Sequence, residues 1–166
     1  FFRTEAKVAE LSNFLPVAKE LFKEAVHLDL WITGPIHWHY YGFTGDETQQ
    51  FTLEIALPVS ELPALYDGKF HCKRTEPFRC VSAVHEGSWY QIPQTYGKLM
   101  EYLTSHSLTP IAMNRELYIN ADFSDPEANV TEIQMGVQAE WGPFDIGSET
   151  DQIPFKKNPN EKDSDH

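Results

Sequence analysis

Glu116 and Tyr118 are the residues whose types and spacing first suggest chemistry. Residues 111–120 are predicted to form a strand, and alternation along a strand places Asn114, Glu116 and Tyr118 on one face. A carboxylate beside aromatic rings could receive an organic cation, because ring faces attract positive charge by about 0.5–2 kcal/mol each and the carboxylate supplies the counter-charge. From spacing alone, Glu116 could also be an ordinary solvated strand residue.

The other face of the same predicted strand carries Arg115, Leu117 and Ile119. Leu117 and Ile119 are apolar, so we expect them to lie in the core beneath a helix. This assignment leaves Glu116 and Tyr118 on the cleft side of the sheet.

A weak internal duplication supplies further aromatic residues for the same place. When the chain is compared with itself at an offset of about 78 residues, Trp38 lies over Glu116 and Tyr40 lies over Tyr118. Trp38 and Tyr40 are therefore predicted on the matching face of an equivalent strand, and Trp89 is a further candidate. The predicted ligand-binding residues are Glu116, Tyr118, Trp38, Tyr40 and Trp89.

Both halves of the duplication have the same predicted order of elements, which is strand, helix, strand, strand. In each half a proline, Pro16 or Pro93, stands in the first turn of a helix whose apolar residues recur at three- and four-residue steps. Local hairpins imply antiparallel pairing. We therefore expect an α+β fold, in which an antiparallel sheet carries helices on one face and a ligand cleft lies between the halves. The predicted strands span residues 4–10, 34–43, 51–59, 78–84, 111–120 and 130–138, and the helices follow Pro16 through Ala25 and Pro93 through Ser105.

Charge and hydropathy exclude several classes of partner. The predicted single domain spans residues 1–145, with halves at about 4–60 and 77–138, and residues 146–166 are a C-terminal extension with an expected disordered tail. The net charge of -12 argues against direct nucleic-acid contact, which needs clustered basic residues. No apolar run is long enough to span a membrane and the first residues lack a signal-peptide pattern, so we expect a cytoplasmic protein.

Histidine pairs suggest two other kinds of chemistry. His37 and His39 lie two residues apart, a spacing that can hold a metal, but no third ligand is evident and core or interface histidines are the preferred interpretation. His85 and Glu86 suggest acid–base chemistry, for which a turn pair before Gly87 is the simpler interpretation. We therefore predict neither a metal nor a cofactor.

Two further features leave alternatives open. Cys72 and Cys80 could form a disulfide, but two thiols are expected in a reducing compartment. Trp141, Gly142, Pro143 and Phe144 could form a lid over the cleft or a simple hydrophobic plug.

The second half carries an ordered series of short motifs. In chain order these are Val84-His85-Glu86-Gly87-Ser88-Trp89, a helix, the strand Arg115-Glu116-Leu117-Tyr118-Ile119, the loop Asp125-Pro126 and the strand Thr131-Glu132-Ile133. The series resembles the gyrase-inhibitory-protein-like (GyrI-like) domain, also known as the effector-binding domain of bacterial AraC- and MerR-type multidrug-responsive activators. The resemblance implies two β-α-β-β modules related by a pseudo-twofold axis, with a ligand cleft between them. It also implies that Glu116 matches a buried carboxylate that contacts cationic, lipophilic ligands.

Two functions are compatible with these residues. The first is a binding domain for a small hydrophobic, cationic and aromatic molecule, either as a stand-alone sensor or as part of a transcription regulator whose DNA-binding part is absent from this chain. The second, suggested by hydrolases in the same broad superfamily, is hydrolysis of reactive aromatic electrophiles with Glu116 as general base. A general base would need its pKa raised by burial.

Overall fold

The computed structural model describes residues 1–138. Six strands and two α-helices follow one another in the order β-α-β-β, which occurs twice, and short 3-10 turns precede both helices and the last strand. The elements are β1 (Phe2–Ala6), α1 (Leu15–His27), β2 (Ile36–Tyr41), β3 (Phe51–Ala56), β4 (Cys80–Glu86), α2 (Ile92–Ser105), β5 (Pro110–Asn120) and β6 (Val130–Val137).

The six strands form one antiparallel sheet with the order β1-β3-β2-β5-β6-β4. Read from each edge inward, the first half gives β1-β3-β2 and the second gives the equivalent β4-β6-β5. The halves meet where Trp38 on β2 pairs with Glu116 on β5. Because the duplication also equates these two residues, a pseudo-twofold axis passes through their pair. The predicted α+β fold with its antiparallel sheet is confirmed.

Both helices pack on the same face of the sheet. Pro16 and Pro93 lie in the first turns, where a missing backbone N–H removes no helical hydrogen bond. From α1, Leu21 packs in one core cluster with Leu53 of β3, and from α2, Leu103 packs in a second cluster with Ile133 of β6. The burial of these side chains holds each helix against its own half of the sheet.

The register corrects the predicted assignment of faces on β5. Glu116 pairs with Trp38 on one side and with Ile133 on the other, and all three lie on the face that the helices cover. Leu117 and Ile119 point to the opposite face, where Ile119 is 54% exposed. The prediction that Leu117 and Ile119 lie beneath a helix is wrong. Alternation shows which side chains share a face, but not which face the helices cover.

Several element ends differ from those predicted. β1 ends at Ala6 rather than at residue 10, because Val8–Phe14 form a 3-10 turn. β3 ends at Ala56, two residues before Pro58, which has no N–H to donate to a ladder. The helices match more closely, since each begins one residue before its proline.

The helices, the two cysteines and the C-terminal residues bear on three of the sequence-based expectations. No helix within residues 1–138 combines the length and the apolar character needed to cross a membrane. Cys72 and Cys80 are free thiols. The predicted domain end at residue 145 and the segment 141–144 lie outside the described residues.

Candidate functional site

Glu116 lies at the centre of the sheet, between the two helix-packed clusters. β5 is flanked by β2 and β6, so the side chain is enclosed by neighbouring strands. It is 6% exposed. A carboxyl group withdrawn from water in this way needs hydrogen-bond partners within the protein.

Three tyrosine hydroxyls meet this need. Tyr40 and Tyr118 donate from Oη to Glu116 Oε2 at 3.0 and 2.6 Å, and Tyr96 donates from Oη to Oε1 at 3.0 Å. We name Tyr40, Tyr96 and Tyr118 the tyrosine triad. Its members come from β2, α2 and β5, so both halves of the chain hold the same carboxyl group.

Burial controls the electrostatics of this group. It raises the pKa of Glu116, and the hydrogen bonds from Tyr118, Tyr40 and Tyr96 offset part of that rise by lowering the pKa. Burial and the adjacent carboxylate raise the pKa of each triad tyrosine well above its ordinary value, so the hydroxyls remain donors. A charge on Glu116 is therefore poorly screened and acts strongly on any cation nearby.

A row of aromatic rings leads from Glu116 to the surface. The ring centroids of Trp38 and Tyr118 are 6.0 Å apart, those of Tyr118 and Trp89 are 5.4 Å apart, and those of Trp89 and Phe123 are 5.5 Å apart. Each contact is edge to face, the geometry that aromatic pairs prefer. Phe123 is 71% exposed, so this aromatic row, consisting of Trp38, Tyr118, Trp89 and Phe123, reaches solvent.

The structure brings the five predicted site residues together. Tyr40 and Tyr118 bond to Glu116, Trp38 is its cross-strand partner, and Trp89 reaches it through Tyr118. The Nε1 of Trp89 is buried and has no hydrogen-bond partner among the described residues, so it is a donor available to a ligand. Their role in binding a ligand stays a prediction.

Sequence reasoning missed Tyr96 and Phe123 as members of the site. Tyr96 belongs to the apolar stripe of α2, whose three- and four-residue spacing predicts a helix that packs on the sheet but indicates no role in a site. The overlooked signal is its hydroxyl, which needs a partner when a tyrosine packs against a sheet. Phe123 follows β5 in a loop, and no local pattern directs it towards Trp89.

Glu116 lies apart from two cavities of the structure. One lies beneath residues 57–75, another lies against α2 and β4, and Glu116 lines neither.

The histidine pairs lie outside this site. His85 accepts or donates at both ring nitrogens, with Thr95 Oγ1 at 2.9 Å from Nδ1 and the Ser88 carbonyl at 3.0 Å from Nε2. These bonds tie β4 to the start of α2, and the exposed Glu86 takes no part in them, so the acid–base interpretation has no geometric support. His37 and His39 point to the sheet face opposite the helices. Within residues 1–138, no three His, Cys, Asp or Glu side chains are grouped so as to hold a metal.

Comparison with solved structures supports the fold. The EcmrR C-terminal domain matches with a TM-score of 0.63 and 18% identity, covering 82% of this chain and 89% of that one. EcmrR in a complex with DNA matches with a TM-score of 0.60 and 18% identity, over 82% of this chain and 56% of that one.

Two other proteins share the fold. SAV2435 bound to tetraphenylphosphonium matches with a TM-score of 0.54 and 15% identity, covering 82% of this chain and 86% of that one. A hydrolase from Listeria innocua matches with a TM-score of 0.53 and 13% identity, covering 82% and 85%. At these identities the likeness establishes the fold alone.

Sequence comparison identifies the family. The comparison with curated proteins gave no match. The family model described as "GyrI-like small molecule binding domain" matches residues 18–138, which is well over half of the chain. The match includes most of α1, all of α2, the central strand pair and Glu116 with its tyrosine triad. The chain belongs to the family of GyrI-like small molecule binding domains.

Proposed function

We propose that this domain binds small hydrophobic organic cations and that Glu116 is their counter-ion. The observation that carries the proposal is a buried carboxyl group held by three tyrosine hydroxyls at the end of an aromatic row. The ligand-binding residues are Glu116, Trp38, Tyr40, Tyr118 and Trp89, together with Tyr96.

The absence of an internal counter-charge supports a cationic ligand. Among residues 1–138, no Lys or Arg forms an ion pair with Glu116, and its only donors are neutral hydroxyls. A buried carboxylate of this kind gains when a cation enters. Trp38 and Tyr118 add ring faces worth about 0.5–2 kcal/mol each to a cation.

Two broader observations agree with this class of ligand. The chain has a net charge of -12, which attracts cations over a distance. SAV2435, which shares the fold, has been solved with tetraphenylphosphonium, a bulky aromatic cation. Because EcmrR carries a domain of this fold and has been solved on DNA, we infer that this domain serves as the effector-sensing part of a bacterial transcription regulator.

Tetraphenylphosphonium provides a direct test of the counter-ion. We expect Glu116→Gln to weaken its binding about 30-fold, or about 2 kcal/mol, because the variant keeps the shape and loses the charge. Triphenylphosphine oxide, which is neutral and carries three of the same rings, should bind both proteins alike. Isothermal titration calorimetry measures both affinities.

Glu86→Gln is the matched control, since Glu86 is exposed on β4 and its loss changes the net charge by the same amount. We expect this variant to bind tetraphenylphosphonium within about twofold of the wild type, because a distant surface charge is screened by salt. Equal weakening by both variants, or none by Glu116→Gln, overturns the proposal.

Hydrolysis of a reactive aromatic electrophile is the second candidate function. Burial raises the pKa of Glu116 as a general base requires, and one relative of the same fold is described as a hydrolase. With styrene oxide, Glu116 would take a proton from water as the water oxygen attacks an epoxide carbon. The C–O bond of that carbon would break, and a triad hydroxyl would protonate the alkoxide that forms. Diol formation that recurs over many turnovers and disappears in Glu116→Gln establishes this activity. A rate equal to that in buffer rejects it.

A further inference from the structure

The sheet face opposite the helices carries a second group of buried polar side chains. Residues 57–79, which we name the connector, join the two halves and reach both faces of the sheet. Tyr66 of the connector donates to Glu24 of α1, while Lys73 donates to Glu54 of β3. Between the connector and the sheet lies a cavity of about 520 Å³ that neither Glu116 nor the tyrosine triad lines.

Arg115 is the main uncompensated charge in this cavity. It neighbours Glu116 in sequence but points to the opposite face, and its guanidinium lies 3.9 Å from the ring centroid of Phe78. Among residues 1–138 no acidic side chain pairs with it, and its Nε is buried without a hydrogen-bond partner. A guanidinium that contacts a ring and has an unused donor is suited to a bidentate acceptor.

Glu54 is close enough to act on Arg115 electrostatically, but among residues 1–138 the two form no ion pair, and Glu54 is held by other groups. Its carboxylate is fully buried, accepts hydrogen bonds from Lys73 and from Tyr41 at 3.0 Å, and lies 3.3 Å from Arg3 Nη1. Arg3 and Lys73 carry two positive charges against the one negative charge of Glu54, so this cluster keeps one positive charge, and Arg115 adds another that has no ion-pair partner among residues 1–138.

His39 adds a second unsatisfied group to the same cavity wall. It is 2% exposed, and its Nδ1 has no hydrogen-bond partner among the described residues. Its Nε2 lies 3.4 Å from His37 Nδ1, and both rings line the cavity beside Arg115. A ligand oxygen near Arg115 would give these rings a polar partner.

The lining determines the class of ligand. Lys73, Arg74 and Arg115 line the cavity together with two carboxylates, Glu24 and Glu61, and Lys73 is already bonded to Glu54. The connector supplies apolar side chains to the wall. A carboxylate matches the paired donors of the Arg115 guanidinium, and the apolar wall suits a hydrophobic body.

We propose that the cavity beneath the connector is a second ligand site, which binds a small hydrophobic carboxylic acid with Arg115 paired to its carboxylate. The acid's body lies against the apolar wall, while His37 and His39 contact its carboxylate edge. The two faces of the sheet would then have opposite preferences, cations at Glu116 and carboxylates at Arg115.

The test compares 1-naphthoate with its neutral analogue 1-naphthamide on the full chain. We expect the wild type to bind naphthoate at least about tenfold more tightly by calorimetry, and Arg115→Gln to lose that preference. Arg115→Lys should keep part of the preference for the acid, because the positive charge remains while the paired N–H donors of the guanidinium are lost. Arg79→Gln is the matched control, since Arg79 is exposed and does not line the cavity. Circular dichroism confirms that each variant is folded.

Two further readouts locate the acid. Naphthoate should shift the ring NMR signals of His37 and His39. Its affinity should be unchanged in Glu116→Gln. The acid site and the cation site are therefore tested independently, and either proposal can be rejected while the other is retained. Equal affinity for acid and amide, an unchanged preference in folded Arg115→Gln, or shifts confined to the indole signals of Trp38 and Trp89 would overturn the proposal.

Discussion

Lowering the pH from 6.5 to 4.5 is expected to reduce the free energy of unfolding by about 2–3 kcal/mol through His39 alone. Burial, followed by the positive charges of Arg115, His37 and Lys73, lowers the pKa of His39 from 6.5 to about 3. Glu54 Oε2 lies 3.8 Å from His39 Nδ1 and would favour the charged ring. The carboxylate is already shared with Lys73 and Arg3, so burial and the cations prevail.

The direction follows from the lower pKa in the folded state. Above pH 6.5 the ring is neutral in both states and has no effect. As the pH falls through 6.5, His39 binds a proton in the unfolded chain but not in the folded protein. The free energy of unfolding then falls by about 1.4 kcal/mol for each further pH unit. The loss ends only near the folded pKa of about 3.

Urea unfolding at a series of pH values measures this effect. At each pH, the free energy of unfolding of His39→Gln is subtracted from that of the wild type. This difference isolates the contribution of His39 from that of the carboxylates that titrate in the same range. His27→Gln, which removes an exposed histidine of α1, should follow the wild-type curve. If the free energy of unfolding of His39→Gln changed with pH in parallel with that of the wild type between pH 6.5 and 4.5, the folded protein would bind the His39 proton as readily as the unfolded chain does. That result would contradict the prediction.

Glu116→Gln is expected to make the protein more stable at pH 7 while it weakens cation binding. Burial raises the pKa of Glu116 above 4.5, so the folded protein prefers the neutral carboxyl group. Below pH 4.5 the group is protonated in both states and carries no penalty. As the pH rises above 4.5 the unfolded chain ionises first, and stability falls until the pH passes the folded pKa.

The gain in stability of Glu116→Gln should therefore be small at pH 4 and increase towards pH 7. Thermal unfolding across this range measures it, with Glu86→Gln as the control for a lost surface charge. Saturating tetraphenylphosphonium should stabilise the wild type by about 2 kcal/mol more than the variant at pH 7, because it binds the wild type about 30-fold more tightly. A Glu116→Gln variant less stable than the wild type at pH 7 would mean that the triad, not burial, dominates the energetics of this carboxyl group.

The order of the elements could be predicted from the sequence because its signals are periodic and repeated. Pro16 and Pro93 marked both helices, and the alignment placed Trp38 over Glu116, but the strand order and the pairing of these two residues are known from the structure alone. The alternation of β5 correctly grouped Glu116 with Tyr118.

The faces of β5 could not be predicted, because they depend on distant elements. Leu117 and Ile119 have the composition of a core, yet Glu116 occupies the helix-covered side because Tyr40 and Tyr96 supply hydroxyls from other elements. Glu54 was missed for the same reason, since its partners Arg3 and Lys73 come from β1 and the connector. Sequence spacing carries no information about such long-range partners.

The two halves of the duplication have diverged, so the two sides of the Glu116 site carry different residues. Two identical halves would place identical side chains opposite each other at the axis, so two glutamates would repel and two tryptophans would carry no charge. Here the first half contributes the ring of Trp38 and the second contributes the acid. A cation bound there as we propose would meet two unlike walls in a nearly symmetric frame, with its charged end turned towards the second half.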